Sequence, residues 1–180
     1  AAVFAQLANV EELSLGATGA AASLRSIAAP ALRRLDLSHS AWGPELAEAV
    51  QRLLPQLEVL KLKASLTNET AGPALQTLLV AGGRATVDLS ETPALAGGAG
   101  LQSIVQAVHA SATPAGLALS ECGLGEAGMR HLAEALAQNG AAGAGGALLS
   151  LDVGGNLCTM EVRAALQQLQ QICARCPTFQ

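Results

Sequence analysis

The residues able to do chemistry in this 180-residue chain are few and scattered. Asp36, Asp88 and Asp152 hold the same place in three similar stretches, LDLS, VDLS and LDVG. Two carboxylates can hydrolyse a glycosidic bond when a pocket holds both and one stays protonated. In strands that pair in register, Asp88 and Asp152 would lie about 10 Å apart with one strand between them. No other reactive side chain converges on them, so no residue is assigned a catalytic role. Cys173 and Cys176 form a Cys-x-x-Cys, but zinc needs four ligands and a second pair is absent. A redox motif would open a helix, whereas this one closes a helical pattern. No metal and no cofactor is expected. Asn68-Glu69-Thr70 matches a glycosylation acceptor and, with no secretion signal, reads as unused. The glycine runs 97–100 and 143–146 lack the Lys-Ser/Thr of a phosphate loop.

Composition narrows the function classes further. Hydrophobic residues make up 51%, charged residues 13% and aromatic residues 2%, with no Tyr and Trp42 as the single Trp. The core must therefore be aliphatic. The net charge is −4 and the ten Lys and Arg are dispersed, which disfavours nucleic acid as a partner. Mean hydropathy is +0.38. Even so, the longest uncharged stretch, 92–120, is broken by Gln102, Gln106, His109 and Pro114, so no membrane span is expected. Four cysteines without a dense framework suit a reducing compartment: the cytoplasm, with the nucleus as the alternative.

The elements that must position these residues come from a repeated pattern. Three apolar positions, separated by two residues and then one, are followed after two more residues by a small polar residue. The copies are Val10-Leu13-Leu15-Thr18, Leu32-Leu35-Leu37-Ser40 and Leu57-Leu60-Leu62-Ser65. They continue as a weaker copy with Arg84 in the first slot, then Val87-Leu89-Thr92, followed by Pro114-Leu117-Leu119-Cys122 and Leu148-Leu151-Val153-Asn156. The starts are separated by 22, 25, 27, 30 and 34 residues. The alternating centre of each copy predicts a short strand with one buried face. The polar residue closing each copy is suited to hydrogen-bond the backbone of the adjoining turns. Between copies the period becomes helical, as in Leu46, Ala49, Val50 and Leu53, and in Leu101, Ile104, Val105 and Val108. Shorter versions are Leu75, Leu78 and Leu79, then Leu132, Ala135 and Leu136. Leu24 and Ile27 lie in a brief first one, and Val162, Leu166, Leu169 and Ile172 in a last one. Asn139-Gly140 and the Gly/Ala run to 147 read as an inserted loop.

This pattern resembles the leucine-rich repeat. The stretch Gly123 to Leu136 (GLGEAGMRHLAEAL) resembles the strand-to-helix junction of its ribonuclease-inhibitor-like subclass. The resemblance implies an α/β fold: a right-handed solenoid of about six repeats, with parallel strands on a concave face and α-helices on a convex one. Residues 1–180 then form one domain. Phe4 and Leu7 suit the helix of a preceding repeat, and no polar cap precedes Val10, so a fragment of a longer chain or complex is expected.

In such a sheet, same-slot residues are neighbours. One row reads Asp36, Lys61, Asp88 and another Glu11, Arg33, Glu58, each alternating in sign, and Glu12 beside Arg34 fits the same scheme. These ladders can neutralise themselves at a few tenths of a kcal/mol per pair, or form a recognition strip. The expected partner-binding residues are Arg34, Asp36, His39, Lys61, Asp88 and Glu121, with Trp42 as an apolar anchor unless it packs against the adjacent helix start at Gly43-Pro44-Glu45. The expected function is a non-enzymatic protein-interaction scaffold that uses the concave face and the strand-to-helix turns. The resemblance also admits a GTPase-activating protein of the Ran GTPase-activating type. It likewise admits a sensing or autoinhibitory region of an innate-immune nucleotide-binding receptor. Fold similarity alone does not choose among them.

Overall fold

A computed structural model of the chain describes residues 7, 9–17, 24, 27–80, 85–96, 98–109, 116–141, 150–156 and 159–164. The strands are β1 (Glu12–Ser14), β2 (Arg34–Asp36), β3 (Val59–Lys61), β4 (Thr86–Asp88), β5 (Gly116–Ala118) and β6 (Ser150–Asp152). They pair in parallel, in chain order, into one six-stranded sheet that does not close into a barrel. The register aligns Leu13, Leu35, Leu60, Val87, Leu117 and Leu151 in a single row. From Leu35 to Leu151 this row is at most 3% exposed. A parallel connection requires a crossover. It is supplied by α1 (Pro44–Leu53), α2 (Ala71–Val80), α3 (Gly98–His109) and α4 (Gly125–Ala141). Each of these helices packs against the next.

The helices form where the 3.6-residue period lies. Leu46, Ala49, Val50 and Leu53 are the buried face of α1, which starts with Gly43 at the cap and Pro44 in the first turn. Leu75 and Leu78 are buried on α2, Leu101 and Ile104 on α3, and Leu132 and Ala135 on α4. Leu24, Ile27 and Val162 are also in the core. Small residues bring the helices close: a Cβ at Gly100 would lie 2.8 Å from the Ala94 carbonyl oxygen and 3.4 Å from Ala71 Cβ. One expectation is corrected here. Asn139 and Gly140 belong to α4, which continues to Ala141, so the inserted loop does not begin there. The rest of that Gly/Ala run lies outside the described residues, as do Phe4, Thr18, Arg84, Pro114, Leu148, Cys158, Cys173 and Cys176. No helix among the described residues is long and apolar enough to cross a membrane.

Every strand leaves the sheet in the same way. Three residues after the strand, the backbone turns left-handed. This occurs at Ala17 (φ 56), His39 (φ 60), Ala64 (φ 49), Glu91 (φ 58), Glu121 (φ 57) and Gly155 (φ 66). For a non-glycine residue this costs about 1–2 kcal/mol. Backbone bonds across the exits offset that cost. His39 N–H donates to the Lys63 carbonyl at 2.8 Å, Glu91 N–H to Ser120 at 2.8 Å, and Glu121 N–H to Gly154 at 2.9 Å.

The next residue turns inward and closes the exit. Ser40, Ser65, Thr92 and Cys122 are nearly or wholly buried. The Ser65 hydroxyl has one proton to donate, with the Leu37 carbonyl at 2.9 Å and the Lys63 carbonyl at 3.1 Å both within reach. The Cys122 thiol donates to Leu89 at 3.3 Å, and Ser40 reaches Leu15 at 3.5 Å. Asn156 does most: its amide donates to Leu119 (2.7 Å) and Val153 (2.9 Å), and its oxygen accepts Leu124 N–H (3.1 Å). A hydroxyl has one proton where an amide has two donors and an acceptor, so the Ser exits are held by fewer bonds.

Candidate functional site

The face of the sheet turned away from the core is the candidate site. Two side-chain rows stand on it. One is Glu12, Arg34, Val59, Thr86, Gly116, Ser150; the other is Ser14, Asp36, Lys61, Asp88, Ala118, Asp152. The exposed left-handed residues at the exits, among them His39, Glu91 and Glu121, continue it along one edge.

The second row contains the expected sequence Asp36, Lys61, Asp88. Lys61 sits between the two aspartates in register. The ion pair to Asp88 within 4 Å nevertheless comes from Lys63 Nζ, at 3.8 Å, and the same ammonium reaches Glu91 at 3.6 Å. Lys63 and Glu91 were missed in the sequence, although Lys63 stands two residues beyond Lys61 and so shares its side of the chain.

The aspartates also have a structural task. Asp36 Oδ1 accepts Ser38 N–H at 3.0 Å, Asp88 Oδ1 accepts Ser90 N–H at 3.1 Å, and Asp152 Oδ1 accepts Gly154 N–H at 2.9 Å. Each carboxylate thereby holds the turn that precedes a left-handed residue. Partial burial pushes the Asp36 carboxyl up. Hydrogen bonds from the Ser38 backbone and hydroxyl and the nearby charges of Lys61 and His39 outweigh that, leaving it below the usual carboxylate range.

The row Glu11, Arg33, Glu58 does not lie on the strands. Strands begin one residue later, Ala85 in the same slot is wholly buried, and Arg33 folds back onto the carbonyls of Pro30 and Leu32, both at 3.1 Å. Glu12 and Arg34 do stand side by side on the sheet, as expected, and pair at 3.9 Å with both side chains more than half exposed.

The structure brings Arg34, Asp36, Lys61 and Asp88 onto this face and His39 and Glu121 onto its exit edge. Trp42 is not with them. Only 8% of its surface is exposed, and its backbone N–H donates to the Ser65 carbonyl at 3.3 Å. An indole packed in the core has little surface to offer a partner, so its expected role as an anchor is withdrawn. Cys122 is equally enclosed: burial pushes its thiol up to about 11, which leaves almost no thiolate near neutral pH. Among the described residues, no group of three or more His, Cys, Asp and Glu could hold a metal ion. A shallow open groove between α3 and α4 is lined by Leu101, Val105, His131 and Glu134, away from this face.

No protein-family model matches the chain, and no curated protein matches it. The fold and the side chains on its open face are therefore what inform function.

Proposed function

We propose that the chain is a protein-interaction scaffold without enzymatic activity, binding a partner protein through the open sheet face and the strand exits. The observation that carries this reading is the register-aligned face of Arg34, Asp36, Lys61 and Asp88, bordered by exposed His39, Glu91 and Glu121. A sheet fixes the spacing of these side chains before a partner arrives, so no backbone ordering is needed on binding. The recurring exit geometry supports reading the fold as a right-handed leucine-rich-repeat solenoid of about six repeats, in which this face is concave. A reducing, cytoplasmic setting suits the buried thiol of Cys122.

Charge reversal tests the reading. Lys61→Glu places a negative charge beside Asp36 and Asp88. Loss of partner binding by a variant that remains folded at the temperature of the assay supports recognition; equal binding by the variant opposes it.

A further inference from the structure

We draw no further inference here: the strongest candidate, the acidic strand-exit edge of Asp88, Glu91, Glu121 and Asp152, is a carboxylate cluster partly neutralised by Lys63, and nothing in the structure shows what would occupy it.

Discussion

The Ser65 hydroxyl donates to the Leu37 carbonyl at 2.9 Å, tying the exit of β3 to that of β2. The hydroxyl bond is buried and Ser65 itself is only 4% exposed. Ser65→Ala removes the donor and leaves a buried carbonyl with less compensation. The expected loss is about 1–2 kcal/mol. Urea unfolding measures it, and an unchanged midpoint would show that the column of small polar residues does not hold the exits together.

The left-handed residues give a test with the opposite sign. Glu91 has φ 58 on an exposed turn, and among the described residues its carboxylate pairs with Lys63. Glu91→Gly relieves the backbone cost but adds unfolded-state entropy, so the net effect is expected between neutral and about 1 kcal/mol of stabilisation. Glu91→Val puts a β-branched side chain in the same conformation and is expected to destabilise by more than about 1 kcal/mol. Thermal melting of the two variants should order them glycine, wild type, valine.

Helix spacing is tested at Gly100. Alanine is the better helix former by about 1 kcal/mol. Its Cβ would nonetheless lie 2.8 Å from the Ala94 carbonyl oxygen and 3.2 Å from Leu95 Cδ2. Gly100→Ala is therefore expected to destabilise by about 1–3 kcal/mol through overpacking. A gain in the urea midpoint would mean that α3 can move away from its neighbours at no cost.

Asp36 predicts a pH dependence. Its carboxyl is held below its ordinary value in the fold, so the unfolded chain binds the proton more readily. The stabilisation is then complete above the unfolded pKa, about 3.9, and is lost as pH falls through the lower folded value. Asp36→Asn keeps an oxygen to accept Ser38 N–H but removes the charge. Stability at pH 7 should fall, and the acid limb between about pH 5 and pH 2 should flatten. An unaltered slope would show that other carboxylates account for the acid sensitivity.

The sequence revealed the buried rows because they obey two short periods. Leu35 and Leu37 alternate like a strand, and Leu46, Ala49, Val50 and Leu53 recur like a helix. It misled where those periods meet. Leu32 and Leu35 are three residues apart, which a two-residue strand period cannot place on one side. The strand therefore begins at Arg34, and Arg33 drops off the face. Trp42 has two readings in the sequence, an exposed anchor or packing beside the start of α1, and its burial excludes the first. Nor could the pairing of Lys63 with Asp88 and Glu91, since register fixes which strands are adjacent but not which of two lysines reaches the carboxylates. The double use of Asp36, Asp88 and Asp152, in a charge row and as acceptors for their own turns, emerges only once the exits are seen to bend.

The most direct test of partner binding through the open face is affinity capture of the full chain, as wild type, Lys61→Glu and Glu121→Lys, followed by mass spectrometry and a melting curve for each. The expected result is a specific protein recovered by the wild type, and lost or strongly depleted with both charge-reversed variants while each still unfolds in one cooperative transition well above the capture temperature. Recovery of no specific protein, or equal recovery by all three, would contradict recognition through this face.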